Sequence, residues 1–175
     1  MNLSQLIEMI PESGRDIRLN LDSILKSPEI SGLTGSQRAG IALACAYAVQ
    51  NSKITNSIKE EYSALLTAEI MQAAEGAAAL MAMNNVYYRF LHLAEDPELR
   101  KLPARLRMNL IGKPGIPKVD FELMCLAISA LTGCGSCIQS HIQEIKNAGL
   151  GIEGIQNSAR IAAVINAADR ALSFG

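Results

Sequence analysis

The 175-residue chain has no tryptophan, and only 4% of its residues are aromatic. Sheets draw on aromatic and β-branched side chains, so this shortage, set against abundant Ala, Leu, Ile and Met, points to closely packed helices. An excess of one charge is also missing: 16 Lys and Arg face 17 Asp and Glu, for a formal net charge of -1. So balanced a chain supplies no overall field for a polyanion, which argues against nucleic acid as a partner. Long apolar runs are absent too, since the longest, Gly40 to Val49, is half of the roughly 20 residues that a spanning helix needs. No amino-terminal segment couples a basic flank, an apolar stretch and a small-residue cleavage site, because Asn2, Ser4, Gln5 and Glu8 interrupt the start. The expectation is a soluble, cytoplasmic protein without a membrane span.

What the chain does hold is core-forming material. Hydrophobic residues make up 49% and charged residues 19%, a balance that excludes an intrinsically disordered chain. Its length suits one domain that needs no metal or disulfide staple. Leu3, Leu6, Ile7 and Ile10 keep helical spacing up to Pro11, and Ile17, Leu21, Ile24 and Leu25 do so up to Pro28, predicting two short opening helices. An almost wholly apolar helix is expected from Ser36 to about Gln50, and one or two more, rich in Ala, from Ile58 to about Arg89. Pro97, Pro103, Pro114, Gly115 and Pro117 then interrupt the pattern, so Gly112 to Lys118 reads as a loop between two halves. Three helices follow, over about 120–131, 134–148 and 152–173, divided by Gly133 and by Gly149 with Gly151. Leu43-Ala44 recurs as Leu126-Ala127 at an offset of 83, and Asn84 falls near Asn166. The prediction is one internally duplicated all-α domain over 1–175, with a degenerate half at 36–95 and an active half at 120–173.

Chemistry concentrates in the second half. Cysteines stand at 45, 125, 134 and 137, and in a reducing compartment paired thiols suggest catalysis or metal binding rather than reinforcement. Cys134-Gly135-Ser136-Cys137 is a C-x-x-C followed four residues later by His141. On a helix, Cys134, Cys137 and His141 fall within an arc of about 60° and face one spot. A helix opening near Cys134 aims unpaired N–H groups at the sulfurs and favours thiolate. His141 stands one turn from Cys137, close enough to take its proton. At the duplicate offset these three positions are Asn51, Ile54 and Ile58, which have no thiol chemistry. Two other readings of the motif stay open: small buried residues at a helix start, or three zinc ligands. A structural zinc site normally needs a fourth ligand, and the other histidine, His92, lies in the first half. Cys45 and Cys125 sit in apolar helices and read as core.

Glu122 is the one charged residue in the otherwise apolar stretch Phe121 to Leu131. With Asp120 read as the N-cap, Glu122 can be simply a first-turn carboxylate favoured by the helix dipole. If its helix is buried, it is instead a proton acceptor near the thiols. Arg100, Lys101, Arg105, Arg107 and Lys113 read as a solvated basic surface rather than a docking patch for an acidic partner.

These residues carry a resemblance. Glu122, Cys134, Cys137 and His141 match E-x11-C-x-x-C-x-x-x-H, the motif of the alkylhydroperoxidase D family within the carboxymuconolactone decarboxylase-like superfamily. Met83 to Arg89, Leu106 to Ile111 and Pro114 to Lys118 match further, so the resemblance covers most of the chain. It implies an all-helical, internally duplicated protein, similar to a homotrimer, that reduces alkyl hydroperoxides and serves a two-cysteine peroxiredoxin. It also implies roles: Cys137 forms the sulfenic acid, Cys134 is its disulfide partner, and Glu122 and His141 relay protons. A lipoyl-bearing protein or another dithiol is the implied reductant, with no cofactor and no metal. Some members carry a further histidine between the cysteines, where this chain has Ser136. The rival functions are a carboxymuconolactone-type decarboxylase, which does not need the cysteines, and a non-enzymatic thiol or zinc sensor.

Overall fold

Side-chain caps decide where many of the helices begin. In the computed structural model, which describes residues 1–27 and 30–174, helices and turns account for all the regular structure among the described residues, and the protein is all-α. Helix α1 (Leu3–Glu8) starts from a capping box, in which Asn2 Oδ1 accepts from the Gln5 N–H and Gln5 Oε1 accepts from the Asn2 N–H. Pro11 ends it, and a 3-10 turn (Glu12–Gly14), α2 (Arg15–Leu21) and a π turn (Asp22–Lys26) follow. Pro28, the expected breaker of the second helix, lies outside the described residues. Thr34 and Gln37 form a second capping box and open α3 (Gly35–Val49).

Of the one or two helices expected from Ile58 to about Arg89, there are two. The first, α4 (Ser52–Glu61), begins six residues earlier, because the Asn51 side chain caps it by accepting from the N–H groups of Lys53 and Ile54. It stops where Tyr62 turns inward, donates its hydroxyl to the Leu25 carbonyl and lies under the Arg38 guanidinium. Thr67 then caps α5 (Ala68–Ala94), which runs five residues past Arg89. Between the halves lie two short helices, α6 (Pro97–Lys101) and α7 (Asn109–Gly112), ahead of the expected loop.

Asp120 is not the N-cap of the next helix. Pro117 occupies that position and α8 spans Lys118–Thr132, since proline's fixed φ and missing N–H suit a helix start. Asp120 lies in the first turn, where its carboxylate accepts from Gln37 Nε2 of α3 at 2.7 Å. Helices α9 (Gly135–Asn147) and α10 (Ile152–Leu172) complete the chain.

Helices α3 and α8 are the centre: nearly every residue of Arg38–Ala46 and Phe121–Ser129 is buried, and α5 and α10 pack against both. A helix apolar all round must be enclosed in this way. Outside this core α9 leans on α8 and α5, α1 on α4, and α2 on α10. One close approach needs glycine: a Cβ at Gly154, near the start of α10, would run into the backbone oxygen of Gly32. Helices α3 and α8 begin 83 residues apart, as do α4 and α9, and α5 and α10 begin 84 apart.

Candidate active site

The turn between α8 and α9 sets the two sulfurs. Helix α8 ends at Gly133, whose φ of 69° lies in the left-handed region that glycine enters without strain. The Cys134 N–H then bonds back to the Ser129 carbonyl at 3.1 Å, which folds the chain sharply so that Cys134 is the N-cap of α9 and Cys137 lies in its first turn. The two cysteines are joined as a disulfide, with Cα atoms 5.3 Å apart. Both are buried, Cys134 completely and Cys137 to all but 7%.

Behind the sulfurs stands a buried pair. Glu122, in the first turns of α8, brings Oε2 to 2.6 Å from Nδ1 of His141 on α9. An ionised carboxylate only accepts, so Nδ1 carries the hydrogen and Nε2 is left as the ring's proton acceptor. The carboxylate thus fixes the ring's orientation and tautomer, and stabilises the cation that forms when the ring takes a proton. Near the surface, Lys118 and Glu144 form an ion pair at 2.6 Å across the same two helices. Helical spacing placed Cys134, Cys137 and His141 on one face, and the local pattern left Glu122 between two readings of which the resemblance favoured the proton relay; in the structure Glu122 is buried and bonded to His141, which lines one cleft with the disulfide-bonded Cys137.

A cleft of about 240 Å³ opens beside Cys137 and His141. Its far wall is Met81, Asn84 and Tyr88 of α5, and its edge is Met108 and Ile111 from α7 and the residue before it. Ser136 Oγ is 3.6 Å from the Cys134 sulfur and 3.5 Å from the Tyr88 carbonyl, so the residue between the cysteines bridges α9 to this wall. A polar brace holds the wall in place: Ser129 Oγ donates to Asn85 Oδ1 at 3.0 Å, Asn85 Nδ2 to Thr132 Oγ1 at 2.8 Å, and the Arg89 guanidinium to the Thr132 carbonyl. Sequence reasoning gave none of these α5 residues a role. The available signal was the pair Asn84-Asn85 within an Ala-rich apolar helix, where amides need partners.

The remaining cysteines are apart from this chemistry. Cys45 and Cys125 are fully buried in the core with no disulfide. Burial pushes the Cys45 thiol far up, and burial followed by the nearby Glu122 charge does the same to Cys125, so both stay protonated. Among the described residues no group of three or more His, Cys, Asp or Glu is placed to hold a metal ion. The five basic residues between 100 and 113 are all exposed, and no helix among the described residues is long and apolar enough to cross a membrane.

The chain is similar to known proteins along most of its length. The carboxymuconolactone decarboxylase family matches residues 97–174, which hold all four site residues. A protein of Rhodospirillum centenum is 47% identical over 167 residues, covering 95% of this chain and 88% of its own. One of Methylocella silvestris is 44% identical over 172 residues, covering 98% and 95%. One of Coxiella burnetii is 46% identical over 159 residues, covering 91% and 90%. All three bear the name alkyl hydroperoxide reductase AhpD.

Proposed function

The chain belongs to the alkyl hydroperoxide reductase AhpD family, and from that premise we propose that it is an antioxidant thiol peroxidase working through a Cys134–Cys137 dithiol/disulfide cycle. The observation that carries this reading is the Cys134–Cys137 disulfide, whose Cys137 lines a cleft together with His141, with Glu122 bonded to that histidine.

In the reduced protein His141 takes the Cys137 proton. The thiolate attacks the terminal oxygen of the hydroperoxide, an S–O bond forms and the O–O bond breaks. The electron pair leaves on the alkoxide, which takes the proton from His141 and departs as the alcohol. The Cys134 thiol then displaces hydroxide from the sulfenic acid, giving the disulfide and one water. An external dithiol resets both cysteines by exchange, itself becoming a disulfide. Cys137 is the attacking sulfur because a helix start favours Cys134 by only about 0.3–1 kcal/mol, whereas a positioned base contributes roughly 10²–10⁴-fold in rate.

The same reading takes a lipoyl-bearing protein as the dithiol, a two-cysteine peroxiredoxin as the partner served, a cytoplasmic setting and a homotrimer. It also takes the fold as a duplication, supported by the near-constant spacing of α3, α4 and α5 from α8, α9 and α10. The first copy carries Asn51 and Ile54 at the positions of Cys134 and Cys137. The test is consumption of tert-butyl hydroperoxide by purified protein, with dihydrolipoamide or reduced thioredoxin as alternative donors. Turnover with dihydrolipoamide supports the reading, and no turnover with either donor overturns it.

A further inference from the structure

Asn84 has no evident work in holding the fold. Its side chain is only 4% exposed, yet no hydrogen bond reaches its carboxamide among the described residues, and Oδ1 is buried without a partner. Its neighbour Asn85 is fully engaged with Ser129 and Thr132, so the stretch does not lack partners in general. A buried amide without hydrogen bonds destabilises a protein, and an apolar residue of similar size would be the cheaper occupant. Met81, Met108 and Ile111 give the same cleft apolar lining, beside Tyr88 and with Cys137 and His141 on it.

Resting on the peroxidase reading above, we infer that Asn84 is a substrate-binding residue, whose carboxamide hydrogen-bonds the hydroperoxide group and holds it against Cys137 while the alkyl group lies on Met81, Met108 and Ile111. No internal hydrogen bond opposes rotation about its last torsion, so the Nδ2–H₂ group can turn to the oxygen that becomes the alkoxide. A donor aimed there is worth most in the transition state, when the O–O bond breaks and charge gathers on that oxygen. The proton inventory is unchanged: His141 still delivers the proton that releases the alcohol, and Asn84 only donates a hydrogen bond.

The experiment compares reduced wild type with Asn84→Leu and Asn84→Ala, one filling the cleft wall and the other opening it. Single-turnover oxidation of Cys137 by tert-butyl hydroperoxide should slow in both variants by about 10- to 100-fold, the size of one hydrogen bond to a charged group. Alkylation of the same thiol by iodoacetamide needs no such donor and should keep its wild-type rate. The melting temperature of reduced Asn84→Leu should equal or exceed that of wild type, a result no structural brace would give. Wild-type oxidation rates in both variants overturn the assignment of Asn84 and leave the peroxidase reading standing. A fall in melting temperature in both, with alkylation slowed as much as oxidation, makes Asn84 structural and also overturns it. Wild type that fails to react with the hydroperoxide overturns both readings together.

Discussion

Replacing Glu122 by glutamine is the sharpest probe of the buried pair. Glutamine keeps the length of the side chain, and its Oε1 can still accept from His141 Nδ1 at the place where the carboxylate oxygen now sits, 2.6 Å away. Ring position and tautomer therefore survive, and only the charge is lost. The charge matters at one step, when His141 takes the Cys137 proton and becomes a cation beside a group that is only 3% exposed. A hydrogen bond to a charged group is worth about 1.5–3 kcal/mol and a neutral one about 0.5–1.5. The difference, about 1–1.5 kcal/mol, corresponds to roughly a 5- to 12-fold slower step. Stopped-flow oxidation of the pre-reduced protein by tert-butyl hydroperoxide measures that step directly, and urea unfolding of the same sample checks the fold. A Glu122→Gln rate within twofold of wild type, with stability unchanged, would refute the reasoning and leave Glu122 as a carboxylate that only holds the His141 ring; with α8 starting at Lys118, it stands beyond the first turn where a dipole role was expected.

Three further outcomes are expected. Cys134→Ser treated with peroxide and dimedone should carry the adduct on Cys137, whereas Cys137→Ser should carry none on Cys134; mass spectrometry reads both, and a comparable rate at Cys134 would reverse the assignment. Burial raises the folded-state pKa of Cys45 and Cys125 above the roughly 8.5 of an unfolded thiol, so their contribution to stability is complete below that pH and is lost as pH rises beyond it. The urea midpoint should thus fall between pH 8 and 10, and less steeply in Cys45→Ala; an equal slope in the two proteins would contradict this. Gly154→Ala should destabilise by about 1 kcal/mol and at most about 2, because a steric cost of about 1–3 kcal/mol against the Gly32 backbone is set against a gain of roughly 1 kcal/mol in helix propensity, and chemical denaturation with no loss would show that the loop gives way.

The sequence revealed those parts of the site whose geometry is local. Cys134, Cys137 and His141 sit at i, i+3 and i+7, so helical spacing alone places them on one face of α9. Glu122 stood out as a lone charge in an apolar helix, but its burial in α8 and its contact with His141 19 residues away are features no local pattern gives. The start of α8 was misplaced at Asp120 because a strong capping residue was weighed above Pro117, while the chain uses that carboxylate to tie α8 to α3. The stretch from Ile58 was read as one or two helices, and the place of the break after α4 could not be read from it. The break is made by the inward turn of Tyr62 onto Leu25, and nothing in the local pattern near residue 62 announces a partner 37 residues away. The cleft wall lay furthest from view. Met81 and Asn84 face Cys137 only because α5 crosses behind α9, and Met108 and Ile111 reach the same space from a segment whose prolines read as linker. Here composition and function diverge. A Pro-rich stretch reads as linker, yet it holds the short helix α7, and Ile111 on that helix, with Met108 just before it, reaches the cleft lined by α5 and α9. Residues far from the C-x-x-C in sequence thus line the cleft beside Cys137, through α5. That long helix supplies the wall, which neither the C-x-x-C helix nor α8 could form alone.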